Sequence, residues 1–188
     1  MKFLKLTIAS LLTSSALFAG TYNIDVSHSN VGFTVKHMMI TNVSGKFNDV
    51  AGSFEYDEKT NTLTSLSGEI IVASINTANE KRDTHLKADD IFDAEKFPKI
   101  EFKTTKIEDN AVYGDFTMKG VTKNIKLELE NGGVITDPKG NLRAGFELTG
   151  KINRKDFGIT WNKILETGGV TVGDEVKLQI AMEGILAK

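Results

Sequence analysis

The sequence predicts an all-β chain folded as an elongated antiparallel up-and-down barrel of about eight strands, with a short helical insertion near residues 77–97. Three observations predict it. Apolar and polar residues alternate with period two along most of the chain, the pattern of antiparallel strands with one solvated face. Turn-forming clusters at Asp57–Asn61, Glu108–Asn110, Asn131–Gly133 and Asp137–Asn141 separate the alternating runs. The run from Leu142 to Arg154 is long and contains Gly145 and Gly150, where a barrel strand has to bend, so a barrel is favoured over a sandwich.

At the start of the chain, Lys2 and Lys5 precede an apolar stretch from Leu6 to Phe18, followed by the small residues Ala19 and Gly20. This is the layout of a secretory signal peptide, with cleavage expected after Ala19 and Ala16 as the alternative. The stretch is broken by Thr13, Ser14 and Ser15 and falls short of the ~20 apolar residues of a membrane span. The expected organisation is a signal peptide, 1–19, and one barrel domain, 20–188, exported to a bacterial periplasm without stable membrane insertion.

Strand signals then follow in order. Val31, Phe33 and Val35 share one parity; so do Gly52, Phe54 and Tyr56; Ile100 and Phe102; Ile125, Leu127 and Leu129. Leu142, Ala144, Phe146, Leu148 and Ile152 form the longest set, and Val176, Leu178, Ile180 and Met182 the last. Only residues 76–98 break the pattern. Thr77 with Glu80 three positions on reads as a capping box, which predicts a helix over Ala78–Lys87. Asp93 is expected to cap a further turn ending before Pro98. Such an insertion is either a lid over the barrel mouth or a plain surface connection.

Composition removes several functions. Net charge is −2, which speaks against a basic nucleic-acid surface. The chain has no cysteine, so disulfides, thiol catalysis and thiolate-bound metal are out. Glycine-rich phosphate loops and a serine nucleophile elbow are absent, and His28, His37 and His85 lack metal-ligand spacing. No metal, cofactor or catalytic residue is expected. Trp161 either covers a barrel end or fills the core.

Several ordered blocks carry a resemblance: DVSHS at 25–29 with VGFTVKH at 31–37, SGKF at 44–47, RDTHL at 82–86 with IFD at 91–93 and FPKIEF at 97–102, MKGVTK at 118–123, and RKDFG at 154–158. They resemble the YceI family over the whole mature chain. The resemblance implies a lipocalin-like barrel whose apolar interior holds a polyisoprenoid, an isoprenoid quinone, or a fatty acid or its amide. It implies no established enzymatic activity.

Candidates for a cavity lining are Phe33, Val35, His37, Phe47, Phe54, Ile70, Val72, Phe102, Phe116, Ile125, Leu127, Phe146, Leu148 and Ile180; Asn42, Arg82 and His85 are candidates for the rim. Gly52, Gly68, Gly114 and Ala144 share the inner parity, and mixing them with large residues either leaves volume open or fits the taper of a filled barrel. Three functions follow: a carrier or store for a long amphiphile, an enzyme using His37, Arg82, Asp83 and His85 at one opening, or a filled structural barrel. Ala144→Phe separates the first from the last, since it blocks an open cavity but overpacks a filled core. The expected partner is a long-chain amphipathic lipid; a homodimer stays open.

Overall fold

A computed structural model describes residues 19–166 and 168–188. The expected signal peptide therefore lies outside the described residues, except for Ala19. The described chain forms strands β1 (Ala19–Ile24), β2 (Asn30–His37), β3 (Thr41–Phe47), β4 (Val50–Asp57), β5 (Thr62–Ile71), β6 (Ile75–Asn76), β7 (Lys99–Glu108), β8 (Ala111–Met118), β9 (Val121–Thr136), β10 (Leu142–Asn153) and β11 (Val172–Leu186), with one helix, α1 (Glu80–Lys87).

These strands make a closed antiparallel barrel of eight, because three of the eight are bent. β1 passes into β2 through a tight turn at Val26–His28. β3 passes into β4 across Asn48 and Asp49, and β5 into β6 through Val72–Ser74. Each of the eight then pairs with its neighbours in sequence, and β11 closes the ring against both β1 and β2. The bends lie side by side. Asn48 N donates to Ser74 O at 3.2 Å, Asp49 N to Ser74 Oγ at 3.0 Å, and Ile71 N to Asp49 O at 3.0 Å. The result is one crease across three adjacent strands.

Beyond the crease β6 pairs with β3 alone, and β7 begins only at Lys99. Residues 77–98 span this gap. Helix α1 starts two residues later than the capping box implied. Its cap is Asn79, whose side chain accepts from Arg82 N at 3.0 Å. Ala78 has a left-handed φ of 58° and cannot be helical, while Thr77 is buried and bonds Asp83 instead. The expected turn before Pro98 is present, but the carbonyl of Asp93 makes it, accepting from Phe97 N at 2.8 Å. Lys119 Nζ, at the β8–β9 turn, donates to the carbonyls of Asp89 and Ile91 and ties the insertion down.

The inner parity of each strand forms one continuous core. At the end away from the insertion it is filled by aromatic rings: Tyr22 stacks on Phe54 at 5.4 Å, and Phe146 meets Phe54 edge-on at 4.9 Å. Two glycines are covered by rings, whereas Gly68 lines a small void in the middle of the barrel. The Phe54 ring lies over Gly184, where an added methyl would come within 2.5 Å of it, and Phe102 lies over Gly114 in the same way. A register slip does occur beside Gly145, but the extra residue is Gly132, so the bulge lies on β9 rather than on the strand that holds Gly145. Gly150 stays in regular register with Leu178 and makes room for Leu127.

Val72, expected on an inner strand face, is buried in the turn of the crease. Ala144 is buried in the filled part of the core. Ala144→Phe is therefore expected to lower unfolding free energy by about 1–3 kcal/mol in urea denaturation, and it tests packing rather than cavity access.

An ion cluster fastens the crease to the barrel. Arg143 donates to Asp25 Oδ2 at 2.8 Å, to Asp137 Oδ2 at 2.9 Å and to Glu183 Oε1. Asp25, His28 and Glu183 approach closely enough to hold a metal, a grouping the sequence did not suggest, but Arg143 already binds both carboxylates. Hydrogen bonds from Ser27, Arg143 and His28, in that order of effect, hold the Asp25 carboxyl well below the usual range. Arg143 and then Asn141 do the same for Asp137. A carboxyl depressed in the folded state adds stability above its unfolded value of about 3.9 and loses it as pH falls. Melting temperature should accordingly fall below about pH 4, where the unfolded chain takes up protons that these two folded carboxyls resist. Arg143→Met leaves three carboxylates without their cation. It should melt below the natural chain at neutral pH, with the gap only beginning to narrow as pH falls below about 4.

Candidate functional site

Two inner hollows of the barrel differ in size. In its middle a void of only about 50 Å³ is lined by Ile70, Phe102, Phe116, Ile125, Leu127, Leu148 and Ile180, among others. At the creased end lies a cavity of about 510 Å³ between the barrel mouth, the 77–98 insertion and the long β10–β11 connection. Phe33 lines this cavity, and Val31, two residues along the same inner face of β2, lines the central void.

Three walls make the upper cavity. β2 supplies Phe33, Val35, Lys36 and His37; the insertion supplies Arg82, His85, Leu86, Ile91 and Phe92. Ile159, Trp161 and Val172 come from the β10–β11 connection and the strand after it. Phe47 stands beside Phe33 at 5.8 Å and Phe92 at 6.2 Å, behind the lining. The cavity is mostly apolar, and every ionisable side chain on it is basic: Lys36, His37, Lys81, Arg82, His85 and Arg154.

The insertion wall is held by Thr77. Arg82 donates from Nε to Thr77 Oγ1 and from Nη2 to Thr77 O, each at 2.7 Å. Asp83 accepts from Thr77 N at 2.9 Å and Thr77 Oγ1 at 2.5 Å. Arg82 and Asp83 thus meet through Thr77, and Asp83 is turned to this task rather than to the cavity. His85 sits edge-on to Trp161 at 5.0 Å and reaches Asp90 through Nε2 at 3.1 Å. Trp161 therefore closes the barrel end, half-buried, rather than filling the core.

The opposite wall depends on Arg154. This buried guanidinium donates to the carbonyls of Ile159, Trp161, Gly173 and Val172, and to Asp174. Burial lowers its pKa from the ordinary arginine value. Its fork holds both ends of a connection that has little secondary structure of its own. Arg154→Met strands several carbonyls and should cost about 2–4 kcal/mol. Hydrogen exchange is expected to quicken first over residues 155–173, with the barrel strands still protected.

The sequence candidates divide by height in the barrel. Phe33, Val35, His37, Arg82 and His85 do line the cavity; the seven named for the central void lie below it. Phe54, Phe146 and Val72 belong to filled core. Asn42 lies on the outer face, beside Lys177 and Gln179, because its parity in β3 is opposite to that of Val43. Leu86, Phe92, Met118, Arg154, Ile159 and Val176 were missed as lining. Met118 and Val176 could have been found from strand parity; the others stand on the two connections, where period two gives no guidance.

The family model for the YceI-like domain matches residues 22–184. The chain belongs to the YceI family. A UPF0312 protein of Staphylococcus aureus strain N315 is 39% identical over 163 residues, 86% of this chain and 95% of the relative. A crystallised YceI protein of Campylobacter jejuni is 34% identical, with a TM-score of 0.72 over 81% of this chain and 90% of that one. A polyisoprenoid-binding domain of Saccharophagus degradans shares the fold at 13% identity, with a TM-score of 0.67 over 88% and 98% of the two chains. Among the described residues no helix of this YceI protein is long and apolar enough to cross a membrane.

Proposed function

We propose that this YceI protein holds one long-chain amphiphile with an anionic head group, the tail in the upper cavity and the head at its basic rim. The carrying observation is the lining itself, an apolar surface whose ionisable residues are all of basic type, with Lys36, Lys81, Arg82 and Arg154 among them. A cavity of 510 Å³ lies within the ~300–1,000 Å³ range of small-molecule sites. The fold shared with a polyisoprenoid-binding domain supports the reading by analogy.

Burying a methylene contributes ~0.8 kcal/mol, so a prenyl unit or five acyl carbons contribute a gross ~3–4 kcal/mol. Micromolar binding requires ~8.2 kcal/mol net. The tail supplies affinity without choosing a ligand; the head is chosen by charge-assisted contacts. Lys36, Lys81 and the histidines suit a phosphate or carboxylate better than a quinone or an amide. Holding is favoured over turnover, because Asp83, the carboxylate an acid–base reading relied on, is engaged by Thr77. Export to a periplasm, inferred from the N-terminal sequence, places the protein where an insoluble lipid needs a container for transport, storage or sequestration.

Thermal-shift titration with geranylgeranyl diphosphate, palmitate and neutral geranylgeraniol tests this reading, since a ligand that binds only the native state raises the melting temperature. The two anions should stabilise more than the alcohol. Lys36→Ala with Lys81→Ala should weaken the anions by about tenfold and leave the alcohol unchanged. Equal effects from all three lipids, or none from any, would overturn the proposal.

A further inference from the structure

Large apolar side chains are exposed at one end of this molecule more than elsewhere. Of the six such residues among those described, four sit beside the mouth of the upper cavity: Met38 (41% exposed), Met39 (57%), Ile40 (82%) and Ile164 (86%). They belong to two neighbouring tips. Met38–Ile40 form the β2–β3 turn; residues 163–166 and 168–171 form a hairpin closed by the Ile164–Val170 bridge. Met38 N donates to Thr171 O at 2.8 Å and joins the two. His37 and Thr171, one on each tip, line the cavity.

The turn is an unusual place for these residues. Met38 and Met39 both have left-handed φ, 47° and 62°, conformations that Asn and Gly adopt with less strain. Apolar side chains are kept in strained positions and in water, although packing gives no reason for either. Lys163 is exposed beside Ile164, and Lys36 and Lys81 lie on the cavity behind the tips; Glu166 is the one carboxylate in the hairpin. A chain with net charge −2 thus turns basic groups and apolar tips the same way.

We propose that this end of the barrel docks on an anionic lipid bilayer. Met39, Ile40 and Ile164 enter the boundary between head groups and acyl chains, and Lys163 meets the head groups, the division of labour of interfacial anchors. A second copy of the chain fits less well, because a two-fold contact would set the lysines of the patch against themselves. Docking here would aim the cavity mouth at the membrane. The inference rests on the tips and not on what the cavity holds.

Because the chain has no cysteine, single cysteines can be placed and labelled with an environment-sensitive nitrobenzoxadiazole dye. Ile40→Cys and Ile164→Cys report from the tips, and Ile135→Cys from another exposed apolar position, next to the β9–β10 turn. Vesicles of phosphatidylethanolamine and phosphatidylglycerol should raise and blue-shift emission at 40 and 164 but not at 135. Pure phosphatidylcholine should do much less. Ile40→Asp with Ile164→Asp should reduce vesicle co-sedimentation by about tenfold while leaving the melting temperature unchanged, since both positions are exposed. No response at 40 and 164, an equal response at 135, or a dimer in sedimentation velocity that the double variant abolishes without a vesicle effect would each overturn the proposal. A protein that binds vesicles but takes no lipid into its cavity would defeat the container reading alone; the converse would defeat only this one.

Discussion

Closure of the sheet by β11 is the constraint on which the other features depend. A barrel has no unpaired edge, so the last strand must hydrogen-bond to the first along its length. Here the first strand is bent, and β11 meets it as two pieces, β1 near its end and β2 near its start. Continuous pairing of the next two strands then requires a bend at the same level in each, with Asn48, Asp49 and Ser74 bonding across the crease. Arg143 holds that geometry from outside by gathering carboxylates from the bend, the β9–β10 turn and β11.

The cavity is a consequence of the crease. Below it, rings and glycines interlock and the middle of the barrel keeps almost no free volume. Above it, β6 leaves β7, and the gap is spanned by irregular chain instead of strand. Irregular chain cannot pack its backbone into a sheet, so its carbonyls need side-chain partners. Thr77 with Arg82 and Asp83 answers this on one wall, and Arg154 on the other. The same walls bring the basic groups to the rim and carry the apolar tips beside it.

Strand parity was a good guide because it is local. Phe54, Leu127, Phe146 and Leu148 had to face inward in any antiparallel arrangement with one wet face, and they do. Parity carries no information about height along the barrel axis. It therefore placed Phe146 and Phe33 in one lining, although the first is locked in a ring cluster and the second faces open space. Asn42 shows the reverse error: it was a candidate for the rim, and alternation put it outside. The capping box failed for a tertiary reason as well, since Thr77 is drawn into the barrel end and leaves the cap to Asn79.

The sequence by itself determined the strand faces, the position of the one helical insertion, the absence of thiol chemistry and, through its ordered blocks, the family. These follow from period, turn chemistry and composition, which act between near neighbours in the chain. Only the tertiary structure decided where the barrel is full and where it is open, which of Arg82, Asp83 and His85 face the cavity, and that Arg154 and Trp161 build its wall. Those outcomes depend on contacts between residues far apart in sequence, made only after the ring has closed and the crease has fixed how far its end spreads.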